Sequence, residues 1–311
     1  MKIVFFNDFK LGIVRGETVV DVSDAVKDIP HIGPYDLING LIGQFDKHSN
    51  SLQRIAEHGQ GVPVSQVRLR PPLPKPANIV CMAVNYIEDR TRSASLPLNA
   101  FQKSPGAIIG DGDTMVLPDV PATIFEGEAE LGVVIGKRAS NVKAANAMDY
   151  IFGYLNFVDG SARGLPAPGN LFYQMKSRDT FAPIGPYLVT ANDVPDPNNL
   201  QVRLWNNGIL MQDYNTKDMA NKIPECIEFI TSIHTLEPGD IIATGTNHGG
   251  LNPFQDGDRI EMEINESGRL HFRVRDDLKR TWSRETRFER QQKKLEGTTP
   301  QLTGRYASGK R

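Results

Sequence analysis

The chain has 311 residues, 39% hydrophobic and 23% charged, with a formal net charge of −2, and is long enough to bury a large core in one or two domains. No run of about 18 apolar residues offers a membrane-spanning helix, and Met1-Lys2-Ile3-Val4-Phe5-Phe6 is too soon interrupted by Asn7 and Asp8 to read as a signal peptide. Two cysteines, Cys81 and Cys226, exclude a disulfide framework and a thiolate zinc site, so a cytoplasmic location is the default expectation.

Lys2 to Phe6, Lys10 to Val14 and Thr18 to Val22 read as short strands joined at Asn7-Asp8 and Arg15-Gly16. Ala25 to Glu57 holds one or two helices punctuated by Pro30, Gly33-Pro34 and Gly40. Four prolines between Pro71 and Pro76 then make a stiff, extended connector. The segment after it is strand-rich. Asn78 to Val84 reads as a buried strand, and Ala107 to Gly110 and Thr114 to Leu117 flank a turn. Ala129 to Ile135, Tyr150 to Val158, Ile184 to Val189 and Val202 to Asn206 follow as strands. Lys222 to Ile233 reads as a helix with Pro224 in its first turn. Further strands are expected at Ile241 to Thr244, from Asp258 to Ile264, and over Leu270 to Val274. Helices this few and short argue against a doubly wound α/β fold and for an α+β, predominantly β body built on a closed or rolled sheet. Three segments result: a small α+β domain over 1–70, a main domain over 71–275, and an extension over 276–311. From Leu278 onward ten Lys/Arg face three Asp/Glu. Such a basic tail either packs on its own or a neighbouring subunit or is a solvated terminus; Trp282, Arg284, Arg287 and Phe288 favour packing or a dimer contact. No Gly-rich phosphate motif occurs, nor any basic stripe interleaved with aromatics outside the tail, so neither nucleic acid nor membrane is an expected partner.

The chemistry-bearing pattern lies in Phe125-Glu126-Gly127-Glu128-Ala129-Glu130-Leu131-Gly132-Val133-Val134-Ile135. Ala129, Leu131, Val133 and Ile135 alternate onto one buried face, which puts Glu128 and Glu130 on the other, roughly 6.5 Å apart at Cα. Two carboxylates so placed repel, and a hard cation such as magnesium, manganese or calcium relieves them. Asp159, at the end of an apolar strand and followed by Gly160, Ser161 and Ala162, is the candidate third ligand. The same spacing also fits solvated charges on an edge strand, and periodicity alone leaves the two readings open.

Five ordered motifs carry a resemblance to the fumarylacetoacetate hydrolase family, from about Pro74 to about Val274. They are Glu128 to Gly136, Gly153-Tyr154 through Arg163, Lys176 to Pro186, the Asn207-Gly208 and Met211-Gln212-Asp213 hairpin, and Leu236 to Asp240 through Thr244-Gly245-Thr246. The resemblance implies a mixed β-roll with a small N-terminal domain, assembled as a homodimer. It implies one divalent cation, Mg2+ or Mn2+ with Ca2+ also admissible, held by Glu128, Glu130 and Asp159. Lys176 would stand at the substrate, Thr246 would bind its carboxylate, and Arg163 and Tyr173 would help line the pocket. The implied reaction is hydrolysis of a C–C bond in a small keto-acid or diketo compound through a metal-stabilised enolate, as in aromatic catabolism. Lys176 would orient the oxyanion, or shuttle a proton if its pKa were lowered.

The sequence departs from the family where many hydrolases carry a His, with a Glu three residues later, after Asn-Tyr. Asn85-Tyr86 is present, but Asp89 and Arg92 hold those two positions. Three readings follow: a decarboxylase, isomerase or tautomerase that needs no such pair; Asp89 or His248 as a substitute base; or ligand binding without turnover. Arg92, or Arg90, is a candidate for binding a second anionic group. Cys81 and Cys226 read as core residues rather than nucleophiles.

Overall fold

The computed structural model describes residues 1–88 and 97–307. Among these residues strands dominate and form two large sheets and a small one. The largest runs in the order Val62–Pro63, Thr18–Asp21, Lys10–Arg15, Lys2–Phe6, Ala182–Thr190, Ile151–Arg163, Ile124–Ile135, Ile241–Ala243, Ile79–Met82, Ala100–Lys103. Most neighbours are antiparallel, but Ile241–Ala243 and Ile79–Met82 pair in parallel, so the sheet is mixed as expected. The strands of the first 70 residues extend this sheet directly, since Lys2–Phe6 pairs with Ala182–Thr190. A second sheet orders Ile209–Asn215, Gln201–Asn206, Arg259–Ile264, Arg269–Arg275 and Thr114–Val116.

The large sheet separates two apolar cores. On one face Ala129, Leu131, Val133 and Ile135 pack with Val202, Ile260 and Phe272 of the second sheet and with Ile227 and Ile230 of the helix Ile223–Ile233. On the other face Val134, Leu155, Phe157 and Ile184 pack with Leu37, Leu41 and Leu52 of the helices Pro34–Gly43 and Phe45–His58. A sheet covered on both faces needs apolar residues in both registers, which is why strict alternation fades along these strands.

Two central strands are longer than the periodicity suggests. Ile124–Ile135 begins five residues before the alternating run, and all of its residues are buried; it pairs along its length with Ile151–Arg163 and, over Gly132 to Val134, with Ile241–Ala243. That burial excludes the reading of its glutamates as solvated charges. Ile151–Arg163 continues past Asp159 through Gly160, Ser161 and Ala162. Asp159 therefore lies inside a strand rather than at its end, because those small residues go on pairing with Gly127, Glu126 and Phe125.

The extension packs on its own chain. Trp282 is buried, meets Phe125 edge-on at 6.0 Å and donates from Nε1 to the carbonyl of Thr123. Arg284 forks onto Asp258 at 2.7 and 2.6 Å. Arg280, fully buried, donates to both oxygens of Asp276 and to the carbonyls of Val120 and Pro118. Removing one partner of such a pair leaves an uncompensated charge in the core. Arg280→Ala is expected to cost about 3–5 kcal/mol, seen as a lower urea midpoint, whereas Lys279→Ala beside it on the surface should leave the midpoint within about 0.5 kcal/mol.

Candidate metal centre

Pairing register brings the carboxylates together. Glu128 lies directly opposite Asp159 in the antiparallel ladder, and Glu130 follows two residues on, on the same face. Ligand oxygens of all three lie within 4.8 Å of one another, and all three side chains are buried. Like charges placed across a ladder destabilise a sheet, so the surroundings must answer them. Lys176, at the end of the short helix Phe172–Lys176, is buried, and its Nζ donates to Asp159 Oδ2 at 2.6 Å and to Glu128. Lys103, also buried, donates to Asp159 Oδ1 at 2.6 Å and to the carbonyl of Gly160. Arg163 bridges Glu126, at 2.7 Å, and Glu128. The backbone N–H of Gly245 donates to Glu130 Oε2 at 2.8 Å.

The carboxyls are therefore unequal. Burial alone would raise Glu128, but the charges of Lys176 and Arg163 hold it well below the usual range. Burial pushes Glu130 well above that range, and the neighbouring Asp159 and Glu128 push it further. Burial disfavours the charged form of Lys176, yet Asp159 and Glu128 outweigh it and hold the amine above its ordinary value. Lys176 is accordingly an ammonium that donates to both carboxylates. Three converging, buried, oxygen-only donors, one of them forced toward protonation by its neighbours, are what a hard divalent cation would occupy. The donor set fits magnesium, manganese or calcium and not a thiolate-preferring metal.

A chamber of about 60 Å³ opens over the triad, lined also by Arg163, Lys176, Phe172, Phe101, Thr246 and His248. Phe172 stacks on Phe101 with ring centroids 4.5 Å apart. Thr246 is buried and accepts from Gln212 Nε2 at 2.9 Å, while Gln212 Oε1 accepts from the N–H of Ala129. The hairpin glutamine thus ties the Thr246 loop to the ligand strand. His248 Nδ1 lies 2.6 Å from Glu88 Oε1, and its backbone N–H donates to the same oxygen. Its Nε2 faces the triad, 3.8 Å from Glu128 Oε1. A carboxylate only accepts, so in the neutral ring Nδ1 carries the proton and Nε2 keeps its lone pair toward the chamber.

Of the candidates from sequence, Glu128, Glu130, Asp159, Arg163, Lys176, Thr246 and His248 meet at this chamber. Tyr173 does not. Its side of the short helix turns outward, leaving it 72% exposed, and Phe172 lines the chamber instead. Asp89, Arg90 and Arg92 lie outside the described residues. Cys81 and Cys226 are buried, and burial pushes the Cys226 thiol up to about 12, in keeping with core roles. Sequence reasoning does not single out Lys103, Glu88 or Glu126 for the site. Glu88 has a usable signal, being two residues after Tyr86; Lys103 has none, since its strand neighbours Phe101 and Gln102 mark nothing.

The family profile "Fumarylacetoacetate (FAA) hydrolase C-terminal" matches residues 78–275. The chain belongs to the fumarylacetoacetate hydrolase family, whose relatives named below are enzymes. It is 30% identical to a maleylpyruvate hydrolase of Aquipseudomonas alcaligenes over 88% of this chain and 99% of that one. It is 34% identical to the oxaloacetate tautomerase YisK of Bacillus subtilis over 84% of this chain and 94% of that one. Among solved structures, the maleylpyruvate hydrolase of Sphingobium sp. SYK-6 in complex with manganese(II) and pyruvate superposes with a TM-score of 0.80 at 33% identity, covering 89% of this chain and 99% of that chain.

Gly245 allows the local geometry. Its φ is +90°, and a Cβ there would stand 3.1 Å from that of Asn85. Gly245→Ala should cost about 1–3 kcal/mol in thermal or urea unfolding and weaken manganese binding by shifting the N–H that Glu130 accepts, as calorimetric titration would report.

Proposed function

We propose that this protein hydrolyses a C–C bond in a 2,4-dioxo acid (an acylpyruvate), giving pyruvate and a carboxylic acid, with one divalent cation at Glu128, Glu130 and Asp159. The observation that carries the reading is the Glu88–His248 pair, with Nε2 turned toward the triad. It supplies a base where Asp89 and Arg92 replace the family's His and Glu. The manganese and pyruvate bound to the Sphingobium relative support the cation and the head group.

The cation, when bound, supplies Lewis-acid polarisation of the 2-keto oxygen and stabilises enolate charge. Thr246 Oγ1 binds the substrate carboxylate. His248 Nε2 takes a proton from water as its oxygen adds to the 4-carbonyl, while Glu88 holds the ring and stabilises its charge. The bond between C3 and C4 then breaks, its electron pair passing to C3 and the 2-oxygen as the pyruvate enolate. The Lys176 ammonium donates to that oxyanion and, with Arg163, fixes its orientation. Proton return from His248 to C3 completes pyruvate. Among the described residues no helix is long and apolar enough to cross a membrane. A homodimer and a place in aromatic catabolism belong to the same proposal by family likeness.

A tautomerase is the second reading, favoured by the identity to the Bacillus enzyme. It moves a proton between C3 and the 2-oxygen and breaks no C–C bond.

Turnover of acylpyruvates and of oxaloacetate with manganese or magnesium tests both. Glu128→Ala and Lys176→Ala are each expected to lower kcat/KM by about 100-fold or more. His248→Ala should lower hydrolytic kcat by about 100-fold, and Glu88→Gln by about tenfold. Pyruvate with the free acid as products supports hydrolysis; enol–keto interconversion without cleavage transfers the assignment to a tautomerase. The raised Glu130 carboxyl must lose its proton to ligate a cation. Manganese affinity should therefore rise with pH through the range where Glu130 ionises, with proton release on binding that disappears in Glu130→Gln.

A further inference from the structure

The family match ends at residue 275, yet the segment beyond it reaches the site. The N–H groups of Arg287 and Phe288 donate to the carbonyls of Leu251 and Gly249 at 2.9 and 2.8 Å, which clamps the loop that carries His248. Arg287 Nε donates to Glu126 Oε1 at 3.1 Å, and Glu126 is in turn shared with Arg163. A cleft of about 890 Å³ lies over this junction. Val84, Arg163 and His248 line both this cleft and the triad chamber, so the two adjoin. One wall is the extension, with Phe288 and Leu295; the other is the hairpin, with Leu210 and Met211. Phe288, Leu295 and Leu210 line the cleft and are each exposed by two-fifths or more.

Size and charge define what fits. The chamber has room for a head of only a few heavy atoms, whereas the cleft lies in the range of small-ligand sites. The arginines of the outer cleft are already paired: Arg287 with Glu126, Arg290 with Glu285, and Arg163 with Glu126 and Glu128. Among the described residues the cleft therefore sets the apolar side chains of Phe288, Leu295 and Leu210 beside the carboxylate of Asp213 and the amides of Asn247 and Gln291, and each of its arginines already faces a carboxylate.

We infer that the C-terminal extension is the specificity wall of the site, and that Phe288, Leu295 and Leu210 select 2,4-dioxo acids whose acyl group is bulky and apolar, alkyl or aryl, over those with a short or carboxylate-ended tail. The inference rests on the proposed seating of the dioxo-acid head at the triad. Each methylene or ring edge removed from water against these side chains adds affinity, while the head contacts stay constant along a series.

Binding to the manganese-loaded His248→Ala protein, in which the proposed cleavage is slowed, tests it by calorimetry with acetylpyruvate, hexanoylpyruvate, benzoylpyruvate and succinylpyruvate, while the wild type reports cleavage of each. Hexanoyl- and benzoylpyruvate are expected to bind about tenfold or more tightly than acetylpyruvate, and succinylpyruvate no better than acetylpyruvate. Phe288→Ala and Leu295→Ala should each cut the hexanoyl-to-acetyl affinity ratio by about threefold to tenfold. Oxalate binding to each manganese-loaded variant reports that fold and head site are intact. Equal affinity along the series, a ratio unchanged in both variants, or preference for the succinyl compound overturns the inference. Affinity that rises with chain length without cleavage of any member upholds the wall and removes the hydrolase reading; cleavage of all members at chain-length-independent affinity does the reverse.

Discussion

Three carboxylates buried on one face of a sheet impose a charge problem that organises everything near them. The ladder register that sets Glu128 against Asp159 is the cause, and Lys176, Lys103 and Arg163 are the local answers. Each cation comes from a different part of the chain: a short helix, a strand at the far edge of the sheet and the end of the partner strand. The site therefore forms only when the sheet is complete. Burial raises the cost of any unpaired charge, so these side chains are tightly held.

Neutral contacts behind the charged groups fix what the charges leave free. Gln212 connects the ligand strand to Thr246 and to the carbonyl of Asn247. Tyr214 donates to the carbonyl of Ala129, and Asn85 holds the carbonyls of Thr244 and Asn221. The hairpin and the Asn-Tyr segment thus position the loop that carries Thr246 and His248, although neither offers a ligand to the triad.

Much of this is legible in the sequence, and the gaps have physical causes. The alternation of Ala129, Leu131, Val133 and Ile135 sets the facing of the glutamates, and the helix at Ile223–Ile233 follows from its apolar spacing and Pro224. What period-2 reasoning lacks is pairing partners. It does not tell a central strand from an edge, and it stops the Asp159 strand where the residues become small. Lys103 and Glu126 are charged residues in strands, which propensity reads as solvent-facing; only the packed structure shows that Lys103 meets the buried Asp159 and that Glu126 meets the half-buried Arg163 and Arg287. Tyr173 misleads for a helical reason: over one turn, adjacent residues point in different directions, and Phe172 and Lys176, four apart, share the inward side.

The Arg287–Glu126–Arg163–Glu128 chain of ion pairs has a consequence for descent. Glu126 sits deep in the sheet, and one of its two guanidinium partners comes from outside the family domain. A descendant that shed its tail would keep an acid in its core with half the counter-charge gone, while one that gained a tail over a neutral residue at this position would leave a half-buried arginine without a mate. A graft of this extension onto another member of the family therefore needs a carboxylate at this strand position to meet Arg287.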